Sequence, residues 1–136
     1  MLSIRGVIAP DLRQSAGTLG ESTACDELRR LGYAILATRY RSRFGEIDIV
    51  SVRDGVIGFV EVKARRRPAG EGGASAIDAV HPRKRRRIAA MALDYLAFTR
   101  QLEAPCRFIV VAIDGLGTAK QTVTVIEDAW ESDDLY

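Results

Sequence analysis

GEIDIVSVRDGVIGFVEVKAR, residues 45–65, decides the fold of this chain. Two runs rich in Val, Ile and Phe, residues 47–52 and 56–62, flank Arg53, Asp54, Gly55 and Val56, the pattern of a β-hairpin closed by a tight Asp-Gly turn. Both runs carry carboxylates in places where carboxylates are normally excluded. With Asp54 and Gly55 as the two loop residues, Arg53 pairs with Val56, so Asp48 is predicted to face Glu61 and Glu46 to face Lys63. Strand alternation then puts Glu46, Asp48, Val50 and Val52 on one face with Ile57, Phe59, Glu61 and Lys63. Directly opposed residues have Cβ atoms about 4.5–5.5 Å apart, so two carboxylates there repel unless a cation or a proton lies between them.

Upstream, residues 1–16 show no sustained period and contain Gly6 and Pro10, which reads as a loose N-terminal arm before one domain over 17–136. Ala24, Leu28 and Leu31 form a helical stripe from Thr18 to Leu31, and Gly32 sits where a left-handed cap belongs. Glu21 continues that stripe, so it is the helix acid aimed at the core; a first-turn Glu favoured by the helix dipole is the alternative. Tyr33 to Thr38 reads as a strand, and Arg39 to Phe44 as a basic connector with two aromatic residues.

Downstream, Ala64 to Val80 is rich in Gly, Ala, Arg and Pro and reads as a mobile loop. Pro82 suits the first turn of a second helix running to about Gln101, with Ile88, Met91, Tyr95 and Phe98 on one face. Its start carries Arg83, Lys84, Arg85, Arg86 and Arg87, cations that a helix N-terminus disfavours unless an anion is near. His81 is the only histidine, so neither a His-based metal site nor a catalytic triad can be assembled. Arg107 to Ile113 and Gln121 to Ile126 read as strands, and Glu127 to Tyr136 as an acidic tail with Trp130, a short helix or a strap. Helix, three strands, helix, two strands make an α/β fold: a mixed sheet of about five strands with helices on both faces, in three layers.

The chain has 136 residues, enough for one core, and a net charge of +2 that does not by itself identify a polyanionic partner. Of its 20 cationic residues only Lys63, Lys84 and Lys120 are lysines. The Arg excess suits bidentate phosphate contacts and equally suits a GC-rich genome. Cys25 and Cys106 lack any CxxC context and read as reduced core thiols. The opening residues lack the apolar core of a signal peptide, and no run approaches about 20 apolar residues, so the expectation is a cytoplasmic chain with no membrane span.

Asp48 and Glu61 supply the one or two carboxylates that a hard cation such as Mg²⁺ takes from a protein alongside phosphate oxygens. Lys63 shares their face and can orient or deprotonate a water, or neutralise charge on a phosphate; Glu21 can hold a second metal or a hydrated one. Phe59, Ile57, Val50 and Val52 on that face argue against a wet Glu–Lys pair on an exposed hairpin. Glu46 is the predicted partner of Lys63.

Glu21, Asp48 and the Glu61-Val62-Lys63 triplet resemble the signature of restriction-endonuclease-like nucleases, the PD-(D/E)xK superfamily. Gly20, Glu21 and Ala24, Leu31 to Tyr33, Gly45 to Val50, Phe59 to Arg65, and Ala79, Val80 and Lys84 further resemble the small bacterial YraN-like family, over about residues 17–130. The resemblance implies a core related to Holliday junction resolvases, with Asp48, Glu61 and the Val62 carbonyl as ligands to Mg²⁺ or Mn²⁺, Lys63 as catalytic lysine and Glu21 as the helical acid. Ile47 stands where the superfamily pattern has Pro. The function expected is a DNA nuclease acting on branched or damaged DNA, with Arg39, Arg41, Arg43, Arg65, Arg83, Lys84 and Arg87 on the nucleic acid. A non-catalytic nucleic-acid binder and a protein-interaction module are the alternatives. Resolvases cut two strands as homodimers, but no dimer surface is legible here.

Overall fold

A computed structural model describes residues 16–70 and 82–130. In chain order these form α1 (Ala16–Arg30), β1 (Ala34–Ser42), β2 (Gly45–Arg53), β3 (Val56–Ala64), α2 (Pro82–Phe98), β4 (Cys106–Asp114) and β5 (Thr122–Ile126). The strands build one sheet in the order β1-β2-β3-β4-β5, antiparallel except for the parallel β3–β4 pair. A parallel neighbour needs a crossover, and α2 lies in that connection. The arm expected over 1–16, apart from Ala16, lies outside the described residues. So do His81, most of the loop leading to it, and the tail beyond Trp130.

The sheet is buried on both faces, which is why its strands read as nearly continuous apolar runs. Ala24, Cys25 and Leu28 of α1 pack on Ile49, Val60, Ile109, Val111 and Ile113. Ile88, Met91, Ala92, Tyr95 and Leu96 of α2 pack on Val50, Ile57, Phe59, Phe108 and Val110 from the other side. The α/β three-layer arrangement expected from the sequence is the observed one. Cys25 belongs to the first cluster and Cys106 packs against the second, and both are free thiols, so the sheet separates them.

Local chemistry sets the element ends. The Tyr33 N–H donates to Leu28 O at 2.9 Å and the Gly32 N–H to Arg29 O at 3.0 Å, with Gly32 at φ 95°, so α1 closes in a Schellman motif. α2 ends in the same way, Gln101 donating to Leu96 O and Arg100 to Ala97 O, with Arg100 at φ 58°. The helix therefore stops at Phe98, short of the expected Gln101, and Phe98 is 80% exposed instead of joining the inward stripe. Asp54 and Gly55 both have positive φ, 52° and 79°, as a two-residue hairpin turn of the primed kind requires.

The basic connector expected over Arg39 to Phe44 is mostly strand. β1 runs on to Ser42, which pairs with Gly45, leaving only Arg43 and Phe44 as the turn. The Arg-rich composition had hidden a ladder whose outer edge faces water. At the other edge of the chain, the Ala129 N–H donates to Phe108 O, and Trp130 stacks on Phe108 at 4.9 Å, so the start of the tail straps the α2-side core. No helix among the described residues is long and apolar enough to cross a membrane.

Gly58, in the centre of β3, is opposed by Ser51, whose hydroxyl donates to the Gly58 carbonyl at 3.1 Å. A Cβ at this position would stand 2.6 Å from Ile109 Cδ1 and 2.7 Å from Ser51 Oγ. Gly58→Val is therefore expected to cost roughly 2 kcal/mol and to lower the melting temperature by about 5–10 °C. A thermal melt checks it; an unchanged midpoint would contradict the close packing of β3 on β4.

Candidate functional site

The β2–β3 hairpin keeps its predicted register from Arg53↔Val56 to Ile49↔Val60, and there the ladder stops. Asp48 and Glu61 are the next residues on the two strands. Opposite Asp48 on β1, between the pairs Thr38↔Ile49 and Tyr40↔Ile47, Arg39 adopts a left-handed φ of 52°. Across this irregularity the faces change over. Ile47 and Val50 both pack in the α2-side cluster, whereas Ile49 packs on the α1 side. Simple alternation, which had put Glu46, Asp48 and Val50 on one face, fails at this point.

Asp48 uses the parting of the strands. Its Oδ2 accepts the Val62 N–H at 2.7 Å, a backbone donor that the β2–β3 ladder no longer occupies. Glu61 is buried, its side chain 6% exposed, and its Oε1 is held by two ammoniums: Lys84 Nζ at 2.5 Å and Lys63 Nζ at 3.5 Å. Lys63 comes from β3 itself, Lys84 from the first turn of α2. From the opposite face, α1 brings Glu21. Gly17, Glu21, Asp48, Val62, Lys63 and Ala64 line a cleft of about 300 Å³. Close approach of α1 is possible because residue 20 is Gly; a Cβ there would stand 3.0 Å from the Ala64 Cβ.

Each predicted site residue can now be located. Asp48, Glu61, Val62, Lys63 and Glu21 come together. Glu46 does not join them: it faces Arg41 on the β1–β2 ladder and forms an ion pair with it at 3.2 Å, because β2 has left β3 before reaching it. The prediction that Glu46 holds Lys63 is thus corrected; Lys63 is held at Glu61. Of the basic residues, Arg41, Arg43, Arg83 and Arg87 are exposed, with Arg43 over the Phe44 ring at 4.9 Å and Arg87 alongside Gly45. Arg39 is instead bound to Glu21 at 3.0 Å and to Thr18 at 3.1 Å, and Arg65 is ion-paired with the buried Asp114. Lys84 belongs to the site and not to the open surface. Its rarity was the available signal: it is one of three lysines in a chain that otherwise uses Arg.

Electrostatics follow from this crowding. Burial, then the charge of Glu61, pushes the Asp48 carboxyl up to about 6, against the opposing pull of the Val62 N–H and Lys84. Burial, the hydrogen bond with Lys84 and the Lys84 charge hold Lys63 below the usual lysine range. Burial also acts to lower Lys84, but its bonds to Glu61 and Lys63 and the charges of Glu61 and Asp48 outweigh that and raise it. Lys84 is therefore the tighter proton holder of the pair, and Lys63 the one that releases a proton more readily. Among the described residues no group of three or more His, Cys, Asp or Glu side chains is placed to hold a metal ion: Asp48 Oδ2 accepts the Val62 N–H, Glu61 Oε1 is taken by two lysines, and Glu21 is engaged by Arg39.

A family profile described as uncharacterised protein family UPF0102 matches residues 20–113. A UPF0102 protein of Trichlorobacter lovleyi is 41% identical over 119 residues, 87% of this chain and 91% of that protein. One from Symbiobacterium thermophilum is 37% identical over 122 residues, 89% of this chain and all of that protein. One from Ralstonia pickettii is 46% identical over 107 residues, covering 74% and 82%.

A folded-state pKa raised from 3.8 to about 6 means that the folded chain binds the Asp48 proton more tightly than the unfolded chain does. That contribution to stability is complete below the unfolded value and is lost as the pH rises through the folded one. Asp48→Asn keeps an acceptor for the Val62 N–H and removes the buried charge. In chelator it is expected to be more stable than the parent near pH 8, by on the order of 2 kcal/mol, with the difference vanishing near pH 4. Melts at the two pH values check this; a variant less stable at both would show that the carboxylate is not electrostatically crowded.

Proposed function

We propose that this chain, which belongs to the uncharacterised protein family UPF0102, the YraN-like group its motifs resemble, is a divalent-metal-dependent nuclease acting on DNA phosphodiesters. The observation that carries the reading is that Asp48 and Lys63 line one cleft with Glu21 at the point where β2 and β3 part, while the buried Glu61, whose charge acts on Asp48, is ion-paired with Lys63 beside it. The donor chemistry fits a hard cation. Burial and the neighbouring Glu61 charge raise the Asp48 carboxyl to about 6, a cost that a cation would relieve, and Mg²⁺ or Mn²⁺ asks for only one or two carboxylates, completing its shell with water and phosphate oxygens. Asp48, Glu61 and the Val62 carbonyl would hold it, with Glu21 behind them. Such an ion supplies Lewis-acid stabilisation of the charge that develops on the phosphate.

The chain's own groups account for the remaining work. Lys63, with its proton held below the usual lysine range, accepts a proton from an attacking water, or when protonated neutralises charge on a non-bridging oxygen. Asp48 stays oriented through the Val62 N–H. The exposed Arg41, Arg43, Arg83 and Arg87 grip the nucleic-acid backbone, giving affinity without sequence preference. Branched or damaged DNA is the substrate class that the resemblance to resolvases favours, and a homodimer is its corollary. A nucleic-acid binder that keeps the fold without cutting is the second reading, favoured by the ion pairs that already satisfy Glu61.

Purified protein should cut one or more of duplex, single-stranded, flap and four-way-junction DNA in Mg²⁺ or Mn²⁺, and none in chelator. Asp48→Ala, Glu61→Ala and Lys63→Ala should each lose about 10²–10⁴-fold in rate. Cutting that survives both the Asp48 and the Lys63 substitution would sink the proposal, and salt-dependent binding with no cutting of any substrate would select the second reading.

A further inference from the structure

Glu61 sits at the junction of two lysines from different elements, and the outer one is not needed for any step assigned above. Lys84 is presented by the first turn of α2, where the helix dipole disfavours a cation and where Arg83, Arg85, Arg86 and Arg87 add like charge. What holds it inward is Glu61 Oε1, at 2.5 Å. Its side chain is 39% exposed against 6% for Glu61, so it is the member of the pair that can swing out without unpacking the core.

The residue type is informative as well. A chain that fills 17 of its 20 cationic positions with Arg, leaving three lysines, uses lysines for both cations on Glu61. Arginine would lock a carboxylate through a rigid two-pronged contact, whereas an ammonium on a flexible four-carbon stem makes a point contact that can be given up. An ammonium at 2.5 Å from Oε1 and a dication at about 2.0–2.1 Å from the same oxygen exclude one another. A dication on the second oxygen would still face two ammoniums at close range.

We propose that Lys84 is a surrogate cation for the site: it competes with the divalent metal for Glu61, and metal loading turns its ammonium out toward the mouth of the cleft, where the phosphate arrives. Lys84 is on this account a positioning residue that lowers metal affinity until substrate supplies a new partner for it. The inference rests on the reading of Asp48 and Glu61 as metal ligands.

The test is Mn²⁺ binding by calorimetry, with the Mn²⁺-induced shift in melting temperature as a second readout, on the parent protein, Lys84→Met, Lys84→Gln and Arg86→Met. Lys84→Met should melt lower in chelator, because Glu61 has lost its nearest counter-charge, yet bind Mn²⁺ about tenfold more tightly. Lys84→Gln should shift in the same direction and serves as the reporter if the Met variant folds poorly. Arg86→Met removes an equal charge from the exposed side of the helix and should stay within about twofold of the parent. A Lys84 variant that binds Mn²⁺ no more tightly than a binding-competent parent overturns the inference and leaves the metal site standing. Equal absence of binding in the parent, the Lys84 variants and Glu61→Ala at millimolar Mn²⁺ overturns both.

Discussion

The end of the β2–β3 ladder at Ile49 and Val60 is the constraint on which the rest of the site depends. Had the two strands stayed paired for two more residues, the Val62 N–H would have been committed to the backbone and Asp48 would have been an unsatisfied acid in an apolar strand. Their separation frees one donor and one cleft together. A buried carboxylate is tolerated only where hydrogen bonds or opposite charge replace the water it has lost, and here the backbone supplies the first and two lysines the second. The left-handed Arg39 on the neighbouring strand belongs to the same irregularity, and its guanidinium closes the α1 side by taking Glu21.

Both helices are fastened to this point, and by unlike means. α1 comes close because Gly20 leaves room for Ala64, a steric permission that carries Glu21 to the cleft. α2 is drawn in by charge at its N-terminal turn and by apolar packing along Ile88, Met91 and Tyr95. Every layer of the fold therefore contributes a side chain to one cluster, and the cluster is where the sheet is least regular. That pattern, regular scaffold with irregularity concentrated at a polar centre, is what a site for chemistry looks like in physical terms, because each local rule broken there carries a cost that the surrounding core must offset.

Much of this was legible in the amino-acid order. Asp54-Gly55 specifies its turn through the positive φ both residues accept, and a turn specifies a register, so the pairing from Arg53↔Val56 to Ile49↔Val60 could be reasoned out before any coordinates. The layers followed from the order of elements, a helix, three strands, a helix and two strands. What the order of residues concealed was the reach of each regularity. Alternation was extended through Asp48, where a backbone conformation on the neighbouring strand interrupts it; nothing in the letter Arg at position 39 announces a left-handed residue. The partner of Glu46 was misassigned for the same reason. Lys84 was obscured by its neighbours, a lone lysine in a run of five cations whose residue type was the one sequence signal that set it apart, and the strand over Arg39 to Ser42 was masked by charges that face water.

The single parallel pairing in the sheet has a consequence for how the chain reaches this state. β1, β2 and β3 are joined by two-residue turns and can zip as a sequence-local meander, whereas Ile57 meets Cys106 only after the whole crossover through α2 has been laid down. Asp48 and Glu61 are thus brought together with Lys63 by short-range contacts, and Lys84, the second lysine on Glu61, arrives with the long-range step. A chain that has made its hairpins but not its crossover has only Lys63 beside the two acids, and completion of the domain adds the second ammonium.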